Sequence, residues 1–294
     1  MSPAGPVVVS TEWLAAELAR GAADLRVVDI RGKVLPPGNK PRYFGKRADY
    51  DAGHVPGAVF VDWTTDIVDP DDPVPAQVAR PAAFAAKMGE LGIGDRTLVV
   101  VYDDYNHIFA GRLAWALRYY GHDDVRILDG GWTRWVAEGR PVNAEVPRPA
   151  PATFTPHSRP GLVRTAEAVA ASLDRQDSLL IDARPAAQYA GDVSAAARSG
   201  HIPGALNVPY ATLVDPATGR FLAKDELVRA FSKAGVDVAA LPRDIIVYCN
   251  GGVSCSVALH ALRILGRDEV AVYDGSWNEW GADASRPIRR GNQP

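Results

Sequence analysis

Both cysteines of the 294-residue chain fall in one short stretch, Cys249-Asn250-Gly251-Gly252-Val253-Ser254-Cys255. The apolar, β-branched run 245–248 ahead of Cys249 predicts a buried strand. The pattern over 254–265 predicts a helix stopped by Gly266. Cys249 is therefore expected at the carboxyl end of a strand, where open parallel sheets bind ligands. Inward-turned N–H groups of the loop and the positive end of the following helix both favour thiolate over thiol. Such settings lower the ordinary cysteine pKa of about 8.5 by one to several units. Gly251 and Gly252 let the backbone approach the sulfur without an intervening Cβ. A cradled thiolate is what sulfur-transfer or thiol-ester chemistry requires. Cys249 is then the nucleophile, and Asn250, Gly251, Gly252, Val253 and Ser254 form the anion-binding loop. The plain alternative is a buried cysteine packed as a small hydrophobe; the strand–loop–helix setting favours catalysis.

One rival chemistry shares this architecture. Cys-dependent phosphatases and arsenate-type reductases use Cys-x5-Arg, in which the arginine grips the oxyanion bidentately. Here the sixth residue after Cys249 is Cys255, and no arginine occurs from 249 to 261. Phosphate-ester hydrolysis is disfavoured accordingly. Cys255, in the first turn of the predicted helix, is read as a packing residue, with a resolving Cys249–Cys255 disulfide as the alternative.

The elements that must position this loop belong to an internal repeat. Gly53-His-Val-Pro-Gly-Ala58 recurs 147 residues later as Gly200-His-Ile-Pro-Gly-Ala205. Leu128-Asp-Gly-Gly-Trp132 recurs 145 residues later as Tyr273-Asp-Gly-Ser-Trp277, and Val27-Val-Asp-Ile-Arg31 recurs 153 later as Leu180-Ile-Asp-Ala-Arg184. Shrinking offsets place a longer early loop in copy one. In copy two, helices are expected over 165–173, 224–234 and 254–265, and strands over 178–182, 245–248 and 270–273. Copy one repeats the strands at 25–29, 98–102 and 125–128. Apolar strands alternating with helices predict an α/β fold, a mainly parallel β-sheet flanked by α-helices. The proline-rich stretch between the copies is expected to be an extended linker. The alignment also sets Asp103 opposite Cys249, so only copy two can carry a sulfur nucleophile.

The second copy resembles the catalytic domain of the rhodanese family, which includes the two-domain thiosulfate and 3-mercaptopyruvate sulfurtransferases. The residues that carry the likeness are Asp182-Ala183-Arg184, the Gly200–His201 turn, the loop after Cys249, and Asp274-Gly-Ser-Trp277 with Glu279-Trp280. The resemblance implies tandem rhodanese-like domains: an inactive one over 7–143, a linker over 144–163 and a catalytic one over 164–289. It implies a Cys249 that takes sulfane sulfur from thiosulfate or 3-mercaptopyruvate, holds it as a covalent persulfide and passes it to cyanide or a thiol. No separate cofactor is implied; a thioredoxin-like reductant is a possible acceptor. Thiosulfate-preferring relatives carry basic residues in the loop, so the neutral loop here leans toward mercaptopyruvate. The serine expected two positions after the cysteine is Gly251, and the arginine expected to bind the donor's anionic group is Gln188. Arg198 could replace that charge. Non-enzymatic sulfur relay or protein binding by a rhodanese-type module is the other reading.

Asp182 and Arg184 end a strand on the same sheet edge as Cys249 and are candidates for tying the loop down or binding donor. His54 and His201 occupy the repeated turns and mainly secure them, although the resemblance leaves His54 a candidate for the donor site. Trp277 and Trp280, matched by Trp132 and Trp135, read as core packing. Lys33, Lys40, Arg42, Lys46 and Arg47 form a basic stretch, read as solvated surface. The six histidines do not group with carboxylates or thiols at ligand spacing, so no metal is expected. The net charge of −3 points to neither nucleic acid nor a membrane surface as partner. With no signal-like segment and no run long enough to span a bilayer, a cytoplasmic location is expected.

Overall fold

The computed structural model describes residues 5–35, 39, 41–175, 178–194 and 196–294. The chain divides into two compact units. The first comprises Met1–Pro70, Val78–Arg159 and Pro216–Arg220; the second comprises Asp71–Gln77, Pro160–Asp215 and Phe221–Pro294.

The first unit is built on a five-stranded sheet of β1 (Val8–Val9), β2 (Leu25–Asp29), β5 (Val59–Phe60), β6 (Leu98–Tyr102) and β7 (Val125–Leu128). Its order is β1-β7-β6-β2-β5, and every pairing is parallel. A separate antiparallel ladder joins β3 (Gly32–Val34) to β4 (Tyr43–Gly45). This ladder lies within the longer early loop that the offsets demand. Helices α1 (Thr11–Arg20), α2 (Arg47–Ala52), α3 (Pro81–Glu90), α4 (Ile108–Tyr119) and α5 (Gly131–Ala137) accompany the sheet.

The second unit repeats the plan with β8 (Val163–Arg164), β9 (Ser178–Asp182), β10 (Leu206–Asn207), β11 (Asp244–Tyr248) and β12 (Ala271–Tyr273). Their order, β8-β12-β11-β9-β10, is that of the first unit strand for strand, again wholly parallel. The helices are α6 (Ala166–Arg175), α7 (Ala186–Ala190), α8 (Lys224–Lys233), α9 (Cys255–Ile264) and α10 (Ser276–Trp280). The α/β expectation holds, and the expected strands and helices appear within two residues at either end.

Each central strand, β6 or β11, lies between two parallel neighbours, which explains its unbroken apolar run: Val99–Tyr102 and Ile245–Tyr248 are all buried. Helix α9 behind β11 is buried along nearly its whole length, and α4 is its equivalent. Together they fix the loop between central strand and following helix from both ends. Trp277 and Trp280 are core residues, donating their indole N–H groups to the carbonyls of Arg198 and Pro287.

The proline-rich stretch does not hang free between the units. Up to Arg159 it belongs to the first: the Ala152 N–H donates to Gly89, His157 to Tyr120, and Thr155 to Asp95 Oδ1 at 2.6 Å. In the basic stretch, Lys46 pairs with Asp104 at 2.5 Å and Arg47 with Asp51 at 2.8 Å, while Lys40 lies outside the described residues. Among the described residues no helix is long and apolar enough to cross a membrane.

Candidate active site

Cys249 follows the central strand β11 directly and is buried, as is Cys255 at the start of α9; both are free thiols. Burial opposes ionisation of the Cys249 thiol. Hydrogen bonds from the Cys255 thiol, the Ser254 hydroxyl and the N–H groups of Cys255 and Gly251 outweigh it and bring the group down to about 5. At neutral pH the sulfur is therefore a thiolate held by donors, the state a sulfur nucleophile needs.

The loop's five residues divide in their work. Gly251 donates its N–H to the sulfur, and a Cβ there would come within 2.9 Å of Asn278 Nδ2. A serine there, as expected from the resemblance, would require the Asn278 side chain to shift. Gly252 has a φ of +72°, a backbone that favours glycine, and its N–H donates to Ser276 Oγ at 3.0 Å. Ser254 contributes its hydroxyl to the sulfur. Val253 accepts at its carbonyl from the Ser256 hydroxyl at 2.7 Å, in the first turn of α9. Asn250 donates Nδ2 to Gln188 Oε1 at 2.9 Å, and its carbonyl accepts from the Asn278 N–H. Gln188 thus belongs to the loop's surroundings, from the short helix α7. The segment Asp71–Gln77 also reaches the loop, with the Pro75 carbonyl and the Ala76 Cβ near Gly251.

The first unit contains the same loop in a different chemical state. Asp103 follows β6 as Cys249 follows β11, and its carboxylate accepts four backbone N–H groups. Tyr105 and His107 donate to Oδ1 at 3.0 Å each, and Phe109 and Ala110 donate to Oδ2 at 2.9 and 3.0 Å. The repeat architecture builds an anion cradle at this position, filled here by the chain's own carboxylate.

Asp182 and Arg184 form a buried pair, with Arg184 Nε 3.0 and 3.1 Å from the two carboxylate oxygens. Arg184 Nη2 also donates to the Gly200 carbonyl at 2.8 Å, and its guanidinium lies 4.5 Å above the Trp277 ring. The Tyr248 hydroxyl, at the end of β11, bonds to Asp182 and accepts the Ile202 N–H. The first unit repeats this assembly: Arg31 holds Asp29 and the Gly53 carbonyl, and the Tyr102 hydroxyl donates to Asp29 Oδ2 at 2.7 Å. Because the copy without a thiol has it too, the cluster's work is to bind the glycine–histidine turn to the ends of two strands.

The histidines occupy those turns. His54 stacks on Tyr50 and sets its ring nitrogens against the carbonyls of Tyr50 and Glu145, at 2.8 and 3.0 Å. His201 does the same with Tyr189 and Gln293, and burial lowers its pKa. With both nitrogens so placed, His54 is a turn residue and has no nitrogen left for a donor molecule. Arg198 also departs from expectation. Its guanidinium binds the carbonyls of Gly281, Arg286, Trp280 and Asp283, closing the segment after α10, so it cannot serve as the free cation that would replace the arginine absent at Gln188.

Sequence reasoning missed Ser276. Its hydroxyl accepts from both Cys249 and Gly252, and the one available signal was the change from glycine to serine between the repeated Asp-Gly-Gly-Trp and Asp-Gly-Ser-Trp strings.

A family description, the rhodanese-like domain, matches residues 10–138 and again 165–283. The sulfur carrier protein TtuD of Thermus thermophilus is 33% identical over 300 residues, spanning 98% of both chains. Thiosulfate sulfurtransferase of Gallus gallus is 35% identical over 282 residues, 94% of this chain and 93% of the relative. The crystal structure of SseA from Escherichia coli, described among 3-mercaptopyruvate sulfotransferases, superposes with a TM-score of 0.81 at 34% identity, covering 93% of this chain and 99% of that one. Two matched domains with one shared strand order, and alignments running almost end to end, place the chain in the rhodanese family.

Proposed function

We propose that the protein is a sulfurtransferase in which Cys249 carries the sulfur. The observation that carries this reading is the thiol held near 5 by the Gly251 and Cys255 N–H groups, the Ser254 hydroxyl and the Cys255 thiol. In the first half-reaction the Cys249 thiolate attacks the donor's sulfane sulfur. From thiosulfate the S–S bond breaks and sulfite leaves; from 3-mercaptopyruvate the C–S bond breaks and pyruvate leaves after protonation. Either way Cys249 becomes a persulfide, whose anionic outer sulfur gains from the same N–H donors. In the second half-reaction cyanide, a small thiol or a thioredoxin-like thiolate attacks that outer sulfur and returns the Cys249 thiolate.

Between the donors, 3-mercaptopyruvate fits better. Thiosulfate is a dianion and calls for cationic side chains, whereas the loop is neutral and Gln188 is its polar neighbour. Cyanide-labile sulfur should appear after incubation with 3-mercaptopyruvate and vanish in Cys249→Ser, with kcat/KM higher for 3-mercaptopyruvate than for thiosulfate. Labile sulfur that survives in Cys249→Ser would sink the reading. The likeness to a sulfur carrier protein favours a second reading, stoichiometric relay. A single loading event without steady turnover on any small acceptor would support it.

A further inference from the structure

The repeated loops are held from opposite sides. In the first unit the Asp103 carboxylate fills the loop from within and gathers its N–H groups around itself. In the second unit that interior must hold a reactive sulfur, which gains and loses an atom in each cycle of the proposed reaction, so a permanent filler is excluded. The support comes instead from outside, from the first residue of α10. Ser276 Oγ accepts the Cys249 N–H at 3.1 Å and the Gly252 N–H at 3.0 Å, and its proton goes to the Tyr273 carbonyl at 2.7 Å. One donor and two acceptor sites are all that a hydroxyl has, and all three are used.

This serine is held in a conformation that its side chain disfavours. Ser276 is fully buried and has a φ of +53°, in the left-handed region where residues other than glycine are uncommon. The matching residue in the first unit is Gly131, at φ +54°. The φ at this position is therefore the same in both copies, although the preceding glycine differs, Gly130 at +86° against Gly275 at −60°, and only the copy with the thiol carries a side chain there. At Gly131 a Cβ would lie 2.2 Å from the Asp103 carbonyl, so the first unit has no room for the serine. A strained residue that persists at a working site, where its repeat uses glycine, points from geometry to a role.

We propose that Ser276 is a positioning residue for Cys249. By holding the N–H groups of Cys249 and Gly252, it sets the loop so that those of Gly251 and Cys255 converge on the sulfur. Its link to turnover rests on the sulfurtransferase reading; its effect on the thiol does not.

Two variants test this. Ser276→Ala removes the hydroxyl and keeps the strain, and Ser276→Gly removes both and reproduces the residue that the first unit accommodates. The ionisation midpoint of Cys249 is read from thiolate ultraviolet absorbance against pH, as the difference between each protein and the same protein carrying Cys249→Ser. In both variants the midpoint should rise by one pH unit or more. Turnover of 3-mercaptopyruvate should fall about tenfold or more in kcat, with a smaller change in KM. A midpoint unchanged from wild type in either folded variant overturns the proposal, even where thermal stability drops, because a purely structural serine would give that result. A raised midpoint in a protein whose wild type transfers no sulfur would sustain the role of Ser276 and defeat the sulfurtransferase reading.

Discussion

Asp103 and Cys249 stand at the same point of two identical strand orders, each one residue beyond the end of the central strand, and each anionic group is met by backbone N–H donors of the loop that follows. The carboxylate, with two oxygens, takes four such donors; the sulfur is met by those of Gly251 and Cys255, helped by a hydroxyl and a thiol. One loop design thus serves a permanent anion in one copy and a chemically changing one in the other. The two copies differ at this point by an aspartate in one and a cysteine in the other.

That relationship predicts a second acidic thiol on demand. In a Cys249→Ser background, Asp103→Cys places a sulfur where four N–H groups converged on the carboxylate. It should ionise well below the ordinary range of about 8.5, as read by thiolate absorbance. A midpoint at the ordinary value would mean that the first-unit loop holds its shape only around a carboxylate.

The Cys249 thiol also makes stability depend on pH. It ionises at about 5 in the folded chain, against 9.0 for an unperturbed thiol, so the unfolded chain binds more protons between those limits. The contribution is fully present above pH 9, shrinks as pH falls, and is gone below 5, where both states are protonated. The stability advantage of wild type over Cys249→Ser should therefore grow from pH 5 to 9, by at most about 1.4 kcal/mol per pH unit. Urea unfolding at stepped pH measures it, and parallel curves for the two proteins would contradict the assigned ionisation.

The parts of this site that were legible in the sequence are those that announce themselves by local pattern. Buried parallel strands leave unbroken apolar runs, so 25–29, 98–102, 125–128 and 178–182 could be read to the residue. The repeat then carried the reading from one copy to the other and set Asp103 against Cys249. Long-range partnership leaves no such trace. Nothing near Arg198 in the chain reveals that its guanidinium closes on carbonyls from Trp280 to Arg286, some 80 residues on. A cation near an anion-binding turn and a cation sealing a chain reversal look alike in one dimension. Likewise nothing near Gly251 in the chain reveals that the Asn278 side chain lies against it.

Arg198 should accordingly behave as a structural residue. Four carbonyls accept from its guanidinium, and truncation leaves them to water or without a donor. Arg198→Ala should lower the unfolding free energy by about 2 kcal/mol and leave the donor KM within twofold of wild type where the protein is folded. A KM rise of tenfold or more without loss of stability would return Arg198 to the donor site.

Gln188 is where donor choice can be altered. Its Oε1 accepts from Asn250 Nδ2 at 2.9 Å, so its side chain ends beside the loop that carries the sulfur. Gln188→Arg would bring a fixed positive charge to that point and cost one neutral hydrogen bond, worth about 1 kcal/mol. The attraction grows with the charge of the donor, so a dianion gains more than a monoanion from the same arginine. The variant should therefore lower the KM for thiosulfate several-fold, lower that for 3-mercaptopyruvate less, and move the ratio of their kcat/KM values toward thiosulfate. The gain should weaken as salt is raised from 0.05 to 0.5 M, since the new charge is only partly shielded from solvent by the loop (about 10 Å screening length near 0.1 M). An unchanged ratio would place the donor's anionic group away from α7, on the side of the loop approached by Asp71–Gln77.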